Sequence, residues 1–271
     1  TFTPAAHWSG DQAFTYTVRD ASGASSQCSG LLRIEGVTDG ATFSYGQLAD
    51  WTPVAIDAAD VRVNTYTTGV QMQSSVTALK DGGYLITWVS AGQDGSGTGV
   101  YAQRYDRHGE KVGVEHQVNE LTAGDQRDTA VLAMEDGGWV IAWRGPVTGQ
   151  ATTGVYARRF DADGVATQTH LVTDAAFNTQ FYAGTSYNQG SPTLTARADG
   201  GFAVGWTTFY SGTDNDIWIR QYGPDGAVLG GHWIEAGAEL EDHLQLATRA
   251  DVVILAIYQD SRGFYNGPTS V

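Results

Sequence analysis

The chain has 271 residues, enough for one large or two modest domains. Its 15 Lys and Arg residues against 30 Asp and Glu residues give a formal net charge of −15. This charge argues against a nucleic-acid partner, because phosphate contacts require a basic surface. No run of about 18 apolar residues occurs, so we expect no membrane insertion. The single cysteine, Cys28, excludes an intrachain disulfide.

Residues 1–38 predict a β-hairpin distinct from the rest of the chain. Phe14, Tyr16 and Val18 alternate with polar residues, the segment DASGAS turns, and GLLRIEGV returns as a second strand. Together with Phe2-Thr3-Pro4 and Gly36-Val37, these residues resemble the C-terminal hairpin of cadherin-like immunoglobulin-type modules in giant bacterial surface proteins. That family usually continues with a calcium-binding Asn-Asp linker, whereas this chain has Thr38-Asp39.

Residues 39–62 are predicted to be a linker, or to provide a strand, ATFSYG from Ala41, that closes the domain that follows.

An internal repeat organises residues 63–271. Asp-Gly-Gly triplets begin at Asp81, Asp136 and Asp199, and each is followed at the same spacing by a tryptophan. A fourth, degenerate copy has Tyr258 in place of the tryptophan. The predicted copies span residues 63–117, 118–171, 172–235 and 236–271.

Each copy predicts four short strands, the first pair joined by the Asp-Gly-Gly turn. The second strand alternates with period two: bulky residues ending in the tryptophan occupy one face, and Thr87, Ala142 and Gly205 the other. A bulky face meeting a small face suits stacked sheets. We therefore predict an all-β fold of four-stranded blades, a β-propeller that is either partial or four-bladed. A linear array of β-sandwich modules is the alternative.

The repeat segment from Ala78, ALKDGGYLITWVSAGQDGSGTGVYAQRYDRHGEKVGVEHQVN, resembles a repeat of giant secreted bacterial proteins of the RTX type. The resemblance implies an extracellular or cell-surface location, calcium dependence, flanking domains of a larger polypeptide, and contact with glycans or extracellular matrix.

In a propeller, the loops between second and third strands share one rim with the connectors between copies. The third copy carries an insertion there that contains Phe181, Tyr182 and Tyr187, and Phe209 and Tyr210 lie in a neighbouring loop. Aromatic rings stack on sugars, so we predict that these five residues bind a glycan. The alternative is that they pack the insertion onto the domain as local core.

Acidic loops on the same rim predict calcium ligands at Asp94, Asp214 and Asp216, because closely spaced carboxylates suit Ca²⁺. Asp/Gly turns also arise for backbone reasons alone, and acidity also serves solubility.

Catalytic residues are not identified by the sequence. No nucleophile elbow, zinc helix or phosphate loop is present, and the six histidines show no paired ligand spacing. An active site could still form where Arg144, Tyr210, Asp214, Asp216 and Asp260 converge.

The leading hypothesis is a non-enzymatic, calcium-stabilised adhesion region of an exported surface protein. The alternatives are a carbohydrate-active enzyme, either a glycoside hydrolase or a polysaccharide lyase, and a structural spacer.

Overall fold

The chain divides into a unit of residues 1–60 and a unit of residues 61–271. The computed structural model describes residues 10–19, 25–34, 61–174, 176–177, 187–210, 214–235, 240–249, 253–260 and 263–269. In the first unit, β1 (Gly10–Arg19) pairs antiparallel with β2 (Ser25–Ile34). The closing strand predicted at Ala41 lies outside the described residues.

The second unit contains four antiparallel sheets, each built from strands that are consecutive in the chain. Blade 1 contains β3 (Gln71–Ala78), β4 (Tyr84–Ala91), β5 (Thr98–Tyr105) and β6 (Lys111–Gln117). Blade 2 contains β7 (Arg127–Ala133), β8 (Trp139–Pro146), β9 (Thr153–Phe160) and β10 (Ala166–Leu171). Blade 3 contains β11 (Asn188–Ala196), β12 (Phe202–Phe209), β13 (Asn215–Tyr222) and β14 (Val228–Glu235). Blade 4 contains β15 (Asp242–Thr248), β16 (Ile254–Asp260) and β17 (Gly263–Thr269).

The Asp-Gly-Gly turns fold as the sequence predicts. In blade 1 the Asp81 carboxylate accepts a hydrogen bond of 2.9 Å from the Gly83 amide, and Gly82 adopts a φ of +84°. The turns that begin at Asp136 and Asp199 repeat this bond at 3.0 Å. A carboxylate bond to the backbone two residues on is the usual way in which Asp stabilises a turn.

The sheets pack face to face in chain order. Each blade has a bulky face and, on the opposite side of the sheet, a small face. The bulky face includes one central residue of the second strand, which is Ile86, Ile141, Val204 or Ala256 in blades 1 to 4. Ile141 of blade 2 packs in one core cluster with Val100 and Ala102 of blade 1. Val204 of blade 3 packs in another with Ala142 of blade 2. The predicted pairing of bulky and small faces is confirmed.

The small face is shaped to receive the next blade. A Cβ atom at Gly205 of blade 3 would lie 2.6 Å from Leu244 Cδ2 of blade 4, so only glycine leaves room for that leucine. Buried Leu244 and Ala256 of blade 4 cluster with Ile217 of blade 3. Each junction is therefore filled by side chains from two successive copies.

The first strands β3, β7, β11 and β15 contact one another in that order, so they form the inner edge of the arc. Together with the stacked four-stranded blades, this arrangement is that of a β-propeller. In the part of the chain that the structure describes, no extended contact joins the strands of blade 4 to those of blade 1, so the described arc is open.

The two rims also match the prediction. On one rim, Arg159 joins Asp136 of its own blade to the carbonyl of Pro224 in the turn of blade 3. On the other rim, the start of the third strand meets the connector to the next blade, and Thr98 Oγ1 donates 2.9 Å to the Gln126 carbonyl. Among the described residues, no helix has the length and apolar character needed to cross a membrane.

Candidate functional site

The four inner strands share an irregularity near their starts. In each, the pairing register shifts just after the strand begins, between Met72 and Ser75 in blade 1 and at the matching place in the other three. One residue within each shift has a left-handed backbone: Gln73 (φ 51°), Asp128 (φ 58°), Ser191 (φ 50°) and His243 (φ 53°). These four are the non-glycine residues with positive φ among those described.

The recurrence is a property of the repeat. Each of the four residues stands eight positions before the aspartate that begins the turn, or its counterpart Asp251 in blade 4. A left-handed conformation costs a non-glycine residue on the order of 1–3 kcal/mol, although Asp and His tolerate it better than most. Bulges of this kind re-aim side chains and are common beside active sites. The same bulge, with its left-handed residue, thus carries four different polar side chains on the inner strands of the propeller.

Asp128 is the most strongly held of the four. Its Oδ1 accepts a 2.8 Å hydrogen bond from Gln73 Nε2, and its amide donates 3.0 Å to Gln73 Oε1. Its Oδ2 lies 3.0 Å from Arg144 Nε. The side chains of Asp128 and Arg144 remain 24% and 31% exposed, so the pair is held in place and still accessible to a ligand.

The neighbouring strand makes room for this pair. A Cβ atom at Gly190 would lie 3.0 Å from Arg144 Cδ and 3.1 Å from Phe209 Cε2. Glycine here allows the arginine side chain of blade 2 and an aromatic ring of blade 3 to converge on β11. Arg127, beside Asp128, is paired with Asp125 at 3.0 Å.

The fourth inner strand adds an imidazole. His243 Nδ1 lies 2.6 Å from Asp242 Oδ1, and the imidazole is largely exposed. A carboxylate on Nδ1 orients the ring and leaves Nε2 available to a ligand. The inner strands, with Arg144 on β8, therefore carry an anchored carboxylate, a guanidinium, a hydroxyl at Ser191 and a carboxylate-oriented imidazole.

The residues predicted to bind a glycan lie partly elsewhere. Phe181 and Tyr182 fall outside the described residues. Tyr187 and Tyr210 pack edge to face, with ring centroids 4.5 Å apart, and lean on the core cluster between blades 2 and 3. Phe209 is half-buried beside Gly190. The described aromatic residues thus lie at the junction of blades 2 and 3, with Phe209 next to the candidate site, and glycan binding by them stays a prediction.

The predicted calcium ligands do not come together. Asp94 caps its own loop by accepting 3.1 Å from the Ser96 amide, whereas Asp214 and Asp216 lie in blade 3, where Asp216 is buried. Within the described ranges, no group of three or more His, Cys, Asp or Glu side chains is placed to hold a metal ion. Calcium binding stays a prediction.

Of the residues expected to converge in an active site, the structure brings Arg144 to the inner edge, where its partner is Asp128. The Tyr210 amide donates 3.1 Å to the Asp214 carbonyl across a loop, and the Asp260 side chain lies outside the described residues. Sequence reasoning missed Gln73, Asp128 and His243. Extending the comparison of copies a few residues toward the N terminus would have found a polar residue at the same position in all four.

No protein-family model and no curated protein matches this chain. Among solved structures, the Hadza microbial sialidase Hz136 matches 73% of this chain and 44% of its own, with 15% identity and a TM-score of 0.52. An endo-arabinase from Bacteroides thetaiotaomicron matches 73% of this chain and 74% of its own, with 13% identity and a TM-score of 0.46. A thermostable family-43 glycoside hydrolase matches 74% of this chain and 72% of its own, with 9% identity and a TM-score of 0.46. The chain thus spans less than half of the sialidase chain, and that likeness concerns the fold.

These comparisons correct the leading sequence-based hypothesis. The solved structure that the propeller resembles with a TM-score above 0.5 is a sialidase, and this likeness contradicts the prediction of a non-enzymatic adhesion region. In its described residues, the protein has an all-β fold in which three four-stranded blades and one blade of three described strands form a propeller.

Proposed function

We propose that the propeller is a glycoside-cleaving domain whose active site lies at the bulges of its inner strands. The recurrent left-handed residue carries the proposal, because it occupies the same position on all four neighbouring inner strands, as Gln73, Asp128, Ser191 and His243. The sialidase-like fold supports the reaction class by analogy only.

Asp128 is assigned the role of the carboxylate that acts on the sugar ring. Glycosidic bonds break through a transition state in which positive charge develops on the sugar ring, and a carboxylate stabilises or attacks that centre. The Arg144 guanidinium supplies a counter-charge 3.0 Å away, and Gln73 fixes the other oxygen. Preorganised polar groups of this kind lower the barrier because they need not reorient during the reaction.

His243 is assigned the role of proton donor to the leaving oxygen. Its ring is exposed, and Asp242 orients it through Nδ1. General acid catalysis by a positioned side chain contributes about 10²- to 10⁴-fold.

The test is cleavage of a panel containing sialyllactose, arabinan, xylan and uronate-containing polysaccharides, with released sugar as the readout. We expect the wild-type chain to cleave at least one of them and Asp128→Asn to lose at least about 100-fold in kcat. Asp163→Asn, on an exposed turn at the opposite rim, is the matched control and should keep full activity.

Two results would overturn the assignment. One is that no glycan of the panel is cleaved. The other is that cleavage survives Asp128→Asn and is lost in Asp214→Asn or Asp216→Asn, which would move the site to the rim of blade 3.

An exported or cell-surface location stays the prediction made from the resemblance of the repeat. Protease treatment of intact cells producing the full-length protein tests it, because only an exposed protein is digested.

A further inference from the structure

The junction between blades 2 and 3 is filled by an aromatic ring that the junction between blades 1 and 2 lacks. The ring of Phe177 lies edge to face on Trp206 and Trp218, with centroid distances of 5.1 and 5.0 Å. Phe177 belongs to the connector that enters blade 3, and it is buried. The matching connector into blade 2, VNELTAGDQ from Val118, contains no aromatic residue.

A cavity of about 150 Å³ lies beside the corresponding ring pair of blade 2. Its walls include Trp143 and Tyr156, which lie opposite each other on β8 and β9 and stack with their ring centroids 5.7 Å apart. Trp206 and Trp218 are opposite each other at the same places of blade 3. The position of Phe177 therefore indicates that a six-membered ring fits against such an aromatic pair in this fold.

Gly145 keeps the cavity open. A Cβ atom at this residue would lie 3.3 Å from Gln126 Cγ and 3.5 Å from Tyr156 Cε2, and both of these residues line the cavity. The residue at the same position of blade 3 is Thr208, whose side chain is completely buried. The cavity of blade 2 thus arises from two differences between the copies, a missing ring in the connector and a missing side chain on β8.

The wall of the cavity also carries a hydrogen-bond donor. In blade 3 the Trp206 indole donates 2.7 Å from Nε1 to Gln189 Oε1. In blade 2 the matching Gln126 Oε1 accepts 3.1 Å from Asn119 Nδ2 instead, and among the described residues the Trp143 indole makes no such bond. A buried donor normally has a partner, so this indole N–H is suited to a ligand that carries an acceptor.

Two exposed polar side chains, Glu120 and Thr148, also line the cavity. Glu120 Oε1 lies 3.1 Å from Arg158 Nη2, which holds the carboxylate in place. An apolar ring would cover these groups without satisfying them, whereas ring hydroxyls can donate to the carboxylate and accept from the indole. The Glu120 carboxylate and the net charge of −15 disfavour a negatively charged sugar.

We propose that this cavity binds one neutral pyranose ring of a glycan, in the place that Phe177 fills at the next junction. Trp143 and Tyr156 provide the apolar contact, and the Trp143 N–H and the Glu120 carboxylate provide the hydrogen bonds. A single ring held by these few contacts should have a dissociation constant of about 1 mM. The binding does not depend on the proposed glycoside cleavage, because the bulge residues take no part in it.

The test is titration of the full chain with glucose, galactose and xylose, followed through the indole N–H signals in NMR spectra. The Trp143 signal, identified by its absence in Trp143→Phe, should shift as sugar is added. The Trp206 signal should not shift, because its N–H is already bonded to Gln189.

Two variants test the walls of the cavity. Gly145→Thr, which introduces the residue of blade 3, should raise the dissociation constant at least about 10-fold because its side chain occupies the space of the ligand. Glu120→Gln, at an exposed position where folding is little affected, should raise it about 5-fold because a charge-assisted hydrogen bond is lost. Ala151→Thr, at an exposed position of the loop between β8 and β9, is the control and should bind as the wild type does.

Three results would overturn the proposal. They are a Trp143 signal that none of the three sugars shifts, tighter binding of benzyl alcohol than of any sugar, and unchanged sugar binding in Gly145→Thr. Asp128→Asn should lose cleavage and keep this binding, so failure of the cavity proposal is distinguishable from failure of the proposed function.

Discussion

The inner strands have a turn at one end and a bulge near the other, and the four copies of the repeat keep different features at these two places. At the turns the sequence and the geometry are both repeated: Asp81, Asp136 and Asp199 each accept the same hydrogen bond from a glycine amide. At the bulges only the geometry is repeated, since Gln, Asp, Ser and His occupy one backbone conformation.

The difference indicates that some positions of the repeat are constrained by folding and others by function. A residue that is the same in successive copies satisfies a requirement of the blade itself, here the turn and its contact with the next blade. Where the backbone conformation is repeated but the side chain varies, each blade presents a different functional group at the same position. We therefore expect substitutions at the turns to change stability and substitutions at the bulges to change activity.

The largest effect on stability should come from the second glycine of a turn. A Cβ atom at Gly138 would lie 2.3 Å from the Phe160 carbonyl oxygen, a backbone atom that cannot move without disturbing the sheet. Gly138→Ala should lower the free energy of unfolding by about 3 kcal/mol, measured by urea denaturation. An added Cβ at Gly149 would meet no described atom within 4 Å, and its φ is +77°, so Gly149→Ala should cost about 1 kcal/mol. Equal costs in the two variants would show that the close approach is not what the turn requires.

A second repeated residue, not recognised as a motif in the sequence, should make the propeller sensitive to acid. His116, His170 and His232 lie opposite Ala102, Ala157 and Ile219 at matching positions of the fourth strand. The ring centroid of His170 lies 4.7 Å from that of Tyr222 in the next blade.

Burial lowers the pKa of each of these three imidazoles from the usual 6.5, and nearby Arg158 and Arg220 lower the pKa of His116 and His170 further. For His170, the Asp174 carboxylate acts in the opposite direction on the pKa.

Because the folded-state pKa lies below the unfolded value, the unfolded chain binds protons first as the pH falls below about 6.5. The free energy of unfolding should therefore fall in that range, and the slope should be shallower in a His116→Gln, His170→Gln double variant. Denaturant titrations across the range measure both slopes, and identical slopes would contradict the assignment.

The smallest effect concerns the backbone at the bulges. Ser191→Gly should raise the free energy of unfolding by about 1 kcal/mol, because glycine adopts the left-handed conformation without steric cost. Thr193 lies two residues further along the same strand with an ordinary backbone, so Thr193→Gly is the control and should destabilise the strand. If Ser191→Gly were also destabilising, the conformation at residue 191 would not be strained.

Much of the architecture could be predicted from the sequence because bulky and small residues alternate with a period of two along the strands of each blade. The bulky and small faces, the turns and the boundaries of the third strands follow from alternation and from Asp-Gly-Gly. The bulges could not be predicted in this way, because a register shift interrupts the alternation and Gln73, Asp128, Ser191 and His243 share no chemical type.

The sequence places Arg144 among the residues of a possible active site, yet its partner Asp128 belongs to the neighbouring strand. Their contact depends on the register of β7 against β8, which places Arg127 opposite Arg144 and then shifts. A pairing that crosses a bulge has no fixed spacing along the chain, so pattern alone does not reveal it.

The most direct test compares one carboxylate from each region, Asp128→Asn and Asp136→Asn, in parallel assays of glycan cleavage and urea unfolding. Asp128→Asn should abolish cleavage and change the free energy of unfolding by less than about 1 kcal/mol. Asp136→Asn, which weakens the bonds to Gly138 and Arg159, should lower stability by about 1 kcal/mol and leave kcat unchanged. Full activity in Asp128→Asn, or loss of activity in Asp136→Asn in the folded state, would contradict the assignment of chemistry to the bulges and structure to the turns.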